Sequence, residues 1–279
     1  MNVNWKVKSY VFSIIDGFGL KITLNLLQKY LTGRARKKSK MINPTWFLHK
    51  KSIEKYNSQD VVFEFGAGQN LAQNIFLSDL CRTQILFDIE RIIDFQLVRS
   101  AVDFLFFAKL INRHFNVINE EDLKLYGLEY YAPADANDTC LSDSSVTAVI
   151  STDTFEHVPR KNLLTILTEM KRIMKPDAIL SAKIDYSDHY SHTDRNIGDL
   201  NFLKFSELEW NKYNHNCHFQ NRMRHNDYRD MFIEIGFEIK EEKILTYSST
   251  DKNRLNFGKG ESEDYFATSG YFVCGKSSK

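Results

Sequence analysis

From residue 60 onward, short apolar runs alternate with stretches that carry a single apolar face. DVVFEF (60–65) is almost continuously apolar, as a strand covered on both faces requires. LAQNIFLSDL (71–80) keeps its apolar residues on one side of a helix, and QILFDI (84–89) reads as a second strand. Residues 91–111 are apolar and long enough to be helical, and GLEYYA (127–132) is a short third strand. VTAVIS (146–151) is β-branched and apolar at its centre, which suits a central parallel strand. In RKNLLTILTEMKRIM (160–174), Leu163, Leu164, Leu167, Met170 and Met174 fall at helical spacing. Pro176 is expected to stop that helix, and AILSAKID (178–185) to form the next strand. Residues 227–245 read as a helix followed by a strand, and 265–276 as a last strand.

Strands alternating with helices predict an α/β fold of the Rossmann-like kind, built from parallel βαβ units. The two late neighbouring strands predict one antiparallel edge strand on a mostly parallel sheet. Residues 1–55 are expected to be a helical N-terminal extension, and 56–279 one domain carrying a lid at 186–222. That lid follows the C-terminal end of a strand, the end at which open α/β sheets bind ligands. It is rich in His, Tyr, Asn and Asp.

Composition adds limits. The 279 residues are 43% hydrophobic and 26% charged, with a net charge of +1, which weighs against a nucleic-acid partner. Four cysteines, Cys81, Cys140, Cys217 and Cys274, form no CxxC pair and read as reduced thiols of a cytoplasmic protein. No apolar run reaches the roughly 18 residues of a membrane span. Val11 to Leu31 is apolar and is followed by the basic run RARKKSK (34–40). It is open to two readings: a packed helix with a solvated loop, or a peripheral contact with an anionic membrane at its inner face. Composition leaves the oligomeric state open.

The chemistry begins at VVFEFGAGQN (61–70). A strand carrying Glu64 runs into Gly66-Ala67-Gly68. The dinucleotide pattern G-x-G-x-x-G fails, because Leu71 stands where its last glycine belongs. Asp88 lies near the end of the second strand, Asp135 follows the third in YAPADAND, and then comes VISTDTFEHVPRKNLLTILTEMKRIMKPDAIL. This ordered set resembles the class I S-adenosylmethionine-dependent methyltransferases, in particular the group with EHV after the fourth strand. It resembles them over about residues 58–185, and more loosely to 275. The lid is also similar to a region of methyltransferases from bacterial surface-polysaccharide loci. Asn70 stands where many relatives carry a third glycine, and KPDA replaces their Lys-Pro-Gly-Gly.

The resemblance implies S-adenosyl-L-methionine as cofactor. Glu64, Gly66, Ala67, Gly68, Asp88, Ile89, Asp135, Ala136 and Ser151 would bind it. Bare backbone at the glycines lets the cofactor approach, Glu64 serves its amino-acid end, Asp88 accepts both ribose hydroxyls, and Asp135 accepts from the adenine amino group. DTFEHV has two readings. Asp153 and Glu156 are spaced as a helix capping box. They also resemble the Glu-x-x-Glu-His metal motif of ubiquinone-pathway and plant small-RNA methyltransferases, which implies Mg²⁺ or Mn²⁺ on Asp153, Glu156, His157 and His192. Without a metal, His189 or His192 would be the general base, oriented by Asp185 or Asp188.

In the lid, Tyr186, Tyr190, Trp210, Tyr213 and Phe219 could stack on sugar faces, while Arg195, Arg222 and Arg224 could hold an acid; the plain alternative is a packed lid. The expected function is O-methylation of a sugar hydroxyl on a glycan or its precursor. Another small molecule, a quinone-like phenol, an RNA 2′-hydroxyl, or a module that binds without turnover are the alternatives.

Overall fold

The computed structural model describes residues 3–18, 42–248 and 263–277. The basic run at 34–40 and most of the apolar stretch before it lie outside the described residues. Helix α1 spans Trp5–Gly17 and α2 spans Pro44–Lys55. Strand β1 (Val61–Phe65) follows, then α3 (Ala72–Leu77), β2 (Thr83–Phe87), α4 (Phe95–Phe107) and a single turn, α5 (Glu120–Leu123). Next come β3 (Leu128–Tyr131), β4 (Val146–Thr152), α6 (Arg160–Ile173) and β5 (Met174–Asp185). A short α7 (Glu207–Trp210) lies in the lid, and α8 (His225–Ile235), β6 (Phe237–Tyr247) and β7 (Ala267–Lys276) close the chain.

The seven strands form one sheet in the order β3-β2-β1-β4-β5-β7-β6. β1 pairs parallel with β2 and β4, β2 with β3, and β4 with β5. The antiparallel strand is β7, which slots between β5 and β6 at that edge. Cross-sheet alternation then divides the core in two. Val62, Leu86, Ile150 and Val273 face α2, α3 and α4, while Phe63, Val149, Leu180 and Phe272 face α6 and α8.

Local chemistry sets the ends of the elements. Asp94 caps α4 by accepting from Gln96 N at 3.0 Å, so the helix starts at 95 rather than 91. Helix α6 ends at Ile173, three residues before Pro176, and Met174 already pairs with Val146. The register of that pair then jumps to Ala148 opposite Ile179, so Pro176 lies in a bulge where no ladder N–H is needed. α8 stops on Gly236, whose φ of +85° favours glycine.

The lid is a packed unit, not an open aromatic surface. Trp5, Phe12 and Ile15 of α1 bury against Tyr190, Phe202 and Trp210. Trp5 N donates to Asp194 Oδ2 at 2.9 Å, and Asn216 N and Cys217 N donate to Asp16 at 2.5 and 3.0 Å. Tyr186, Tyr190 and Trp210, expected to stack on a sugar, are buried core. Arg224 is also buried, its guanidinium donating to the carbonyls of Tyr186, Tyr265 and Ala267; Arg222 donates to those of Phe202 and Phe205. Both arginines hold lid backbone instead of meeting an acid on a ligand. No helix among the described residues is long and apolar enough to cross a membrane.

Leu167 is fully buried where α6 packs on the sheet. Leu167→Ala should cost about 2–5 kcal/mol in urea denaturation, with an unchanged m-value. A loss below about 1 kcal/mol would mean the α6 face is not packed as described.

Candidate active site

The cleft opens at the C-terminal ends of β1, β2 and β4. Glu64 is the last acid inside β1 and is 2% exposed. Gln73 Nε2 donates to one of its oxygens at 2.9 Å and Asn74 Nδ2 to the other at 2.5 Å. The carboxyl thus ties the start of α3 to the strand from beneath the turn, and does not line the cleft. Burial, only partly offset by Asn74, pushes its pKa up to about 8.

The turn above it needs glycine. Gly66 and Gly68 have φ of +76° and +82°. A Cβ on Gly66 would lie 2.5 Å from Thr154 Oγ1, whereas one on Gly68 would meet nothing within 4 Å. One glycine lets two strand ends close up, and the other leaves bare backbone facing open space. Gly68 N lies 3.3–3.4 Å from both oxygens of Asp88, and Tyr130 Oη donates to Asp88 at 3.0 Å. Burial raises the Asp88 pKa to about 6, against the pull of these donors.

A cavity of about 290 Å³ lies outside the turn, a size suited to a small organic ligand. Gly66, Asp88, Ile89, Asp135 and Ala136 line it, whereas Ala67 and Gly68 of the same turn do not. Ile89 is 68% exposed, an apolar side chain at the rim. Asp135 Oδ1 is held by Asn137 at 2.8 and 2.9 Å. Ser151 does not reach the cavity; it is fully buried and its hydroxyl has no partner. Thr154, Asn162 and Ile166 are also in the wall, and no spacing in the sequence singles them out.

His157 lines the same cavity and belongs to a second feature, a cluster of imidazoles and carboxylates. Ligand-capable atoms of Glu156, His157 and His189 lie within 4.8 Å of one another, as do those of Asp153, Glu156 and Asp185. Both Glu156 oxygens are buried without a hydrogen-bond partner, and burial, with Asp153 nearby, raises its pKa well above normal. The capping box does not form: Asp153 instead pairs with Lys183, in a backbone conformation with φ of +51°. His157 Nδ1 is 3.0 Å from Phe219 O and must donate to that carbonyl, which leaves Nε2 bare.

His189 Nε2 is 3.6 Å from Asp185 Oδ2. Burial works against the Asp185 charge, but His189 and Ser187 hold its pKa below the usual range. His192 stacks on His189 with ring centroids 5.0 Å apart and is itself turned to Ser187 Oγ at 3.2 Å. Of the two, His189 is the one inside the cluster. Asp188 is bound to Tyr190 N and Asn201 and orients no histidine.

Residues 113–182 match the family model for a methyltransferase domain. Over that stretch the chain carries a methyltransferase domain. A protein from Listeria monocytogenes, assigned as an S-adenosylmethionine-dependent methyltransferase, is 11% identical, with a TM-score of 0.50 over 84% of this chain and 98% of its own. A complex of the Haloferax volcanii Trm112 methyltransferase activator with a protein assigned as a methyltransferase matches at 14% identity and TM-score 0.48, over 95% of this chain and 97% of that one. A methyltransferase from Aquifex aeolicus matches at 15% and 0.44, over 83% and 93%. At such identities the likeness concerns the fold. No curated protein matches the chain.

The raised pKa of Glu64 fixes a sign for the stability of the fold. A carboxyl whose pKa rises from its usual 4.5 to about 8 on folding favours the fold while protonated. That contribution is present below pH ~4.5 and is lost as pH rises through about 8. Glu64→Gln should therefore melt at higher temperature than the parent at about pH 9, with the gap shrinking toward about pH 5. A gap independent of pH would contradict the burial argument.

Proposed function

We propose that this methyltransferase transfers a methyl group from S-adenosylmethionine to a sugar hydroxyl of a glycan or glycan precursor. One observation carries the reading: His157 belongs both to the wall of the nucleoside-sized cavity and to the carboxylate–imidazole cluster. A donor in the first feature and an acceptor at the second would therefore be neighbours.

The cavity suits the cofactor chemically. Gly66 offers backbone without a Cβ, Asp88 offers a carboxylate to the ribose diol, and Ile89 offers an apolar face to the base. When bound, S-adenosylmethionine supplies an electrophilic methyl group. The chain's own part is to align the acceptor and accept its proton. An alcohol is a poor nucleophile until that proton has somewhere to go. His189, with Asp185 3.6 Å behind it, is the group placed to take it. A second cavity, of about 260 Å³, shares Asp185 with the cluster. Ser187, Asp199, Thr246, Thr268 and Ser269 line it, giving hydroxyl and carboxylate partners of the kind a polyol needs.

A second reading is favoured by Glu156. Two buried, unpartnered carboxylate oxygens beside a bare His157 Nε2 and His189 are a donor set suited to Mg²⁺ or Mn²⁺. Glu156, His157 and His189 would hold the ion, which would polarise the acceptor oxygen. The reading also includes contact of the N-terminal segment with an anionic membrane. Val7, Tyr10, Ile14 and Phe18 project outward from α1 and support it.

Labelled methyl transfer to nucleotide sugars and free hexoses, with phenols and short RNAs as competing acceptors, tests the proposal. Transfer to a sugar is expected, falling roughly 10²- to 10⁴-fold in His189→Ala. Transfer to phenols or RNA alone would overturn the acceptor class. Loss of activity on chelation, restored by Mn²⁺ in the parent but not in Glu156→Gln, would select the metal reading.

A further inference from the structure

Behind the cleft, a line of buried hydrogen bonds crosses from α2 to Glu64, and the functional reading above makes no use of it. Ser52 Oγ is 2.9 Å from Tyr271 Oη, which is 2.6 Å from Ser181 Oγ, which is 2.7 Å from His49 Nδ1. His49 Nε2 is 3.0 Å from Thr152 Oγ1. Thr152 donates to Gln73 Oε1 at 2.9 Å, and Gln73 Nε2 donates to Glu64 at 2.9 Å. His49 is fully buried, and burial lowers its pKa to about 3, so its ring is neutral and carries one proton.

The direction of each bond follows from proton counting. Thr152 has one hydroxyl proton, and it is used on Gln73. His49 Nε2 must therefore be the donor to Thr152, which leaves Nδ1 bare to accept from Ser181. Ser181 has then used its own proton, so Tyr271 shares its hydroxyl proton between Ser181, at 2.6 Å, and the Leu48 carbonyl, at 3.1 Å, and Ser52 donates to Tyr271. From Ser181 onward, every proton in the line points toward Glu64.

We propose that His49, fixed as the Nε2–H tautomer, is a positioning residue for the cofactor site: through Thr152 it locks the Gln73 amide with its nitrogen against Glu64. Without that lock the amide can rotate and present its oxygen. A carboxylate repels that oxygen, whereas a protonated carboxyl donates to it. The lock thus favours the ionised acid beneath the glycine turn; walled off from the cavity, its negative charge attracts the cationic amino group of the cofactor across the turn rather than by contact. This step rests on the proposed use of S-adenosylmethionine; the tautomer itself does not.

Two measurements separate the parts. ¹⁵N-histidine NMR of the full chain should show a non-titrating imidazole, protonated at Nε2 and bare at Nδ1, whose signals disappear in His49→Gln; His218, also buried, is told apart by remaining. The opposite tautomer, or exchange between the two, would overturn the proposal whether or not the cofactor binds. The second measurement is the affinity for S-adenosylhomocysteine against pH. Thr152→Val removes the hydroxyl but keeps the shape, and should move the pH at which affinity is half-maximal upward by about one unit, near tenfold weaker binding below it. His49→Phe should do the same, while His49→Gln, which keeps an amide donor at the Nε2 position, should follow the parent. Superimposable pH profiles for Thr152→Val and the parent, with both folded by their melting curves, would overturn it. If the parent itself shows no affinity, the functional reading fails and the NMR result alone judges the tautomer.

Discussion

The parallel registration of β1 with β4, Glu64 opposite Ile150, is the constraint on which the site depends. Both strands end at the same edge of the sheet. The chain leaving β1 must then turn past the chain leaving β4, and the two come so close that Thr154 fills the space a side chain on residue 66 would need. β2 and β5 flank this pair in the same direction. Asp88 therefore arrives on one side of the turn, and Asp185 on the other. A parallel sheet has no cheaper way of bringing so many polar groups to one place, because most of what lies behind that edge is packed apolar side chain.

The cost of this arrangement is buried ionisable groups. Glu64, Asp88 and Glu156 all have pKa values raised by burial. The protein treats them differently. Glu64 is satisfied by two amides, and Asp88 by a tyrosine and the backbone of the turn. Glu156 is left with neither oxygen paired. Unpaired buried carboxylate oxygens are expensive, and a fold keeps them where something else is to meet them. Satisfied acids lie at the glycine turn, the cofactor side of the proposed function, and the unsatisfied one lies in the cluster, its proposed acceptor side.

Much of this was legible in the sequence. Gly66, Asp88, Ile89, Asp135 and Ala136 lie in separate segments, yet strand ends are easy to place from apolar runs, and the sheet brings these residues to one cavity. The apolar spacing in 160–174 gave α6 to within a residue. What could not be read is contact between distant segments. Tyr186, Tyr190 and Trp210 look like ligand-stacking aromatics in a linear string, and only the packing of α1 on the lid shows them to be core. Ser151 has the right position in the motif but is fully buried away from the cavity. His49 stands alone in its helix, and its meaning appears only beside Ser181 and Thr152. Choosing His189 over His192 likewise needed the direction of the side chains, which a spacing of three residues in an irregular segment does not fix.

The central claim is that the cavity at the Gly66 turn holds the methyl donor with its reactive end toward the cluster. A crystal structure with S-adenosylhomocysteine measures this most directly. The account predicts the ribose on Asp88, the base beside Ile89 and Asp135, and the sulfur on the His157 side of the cavity. A nucleoside bound elsewhere, or one whose sulfur points away from His157, would contradict it.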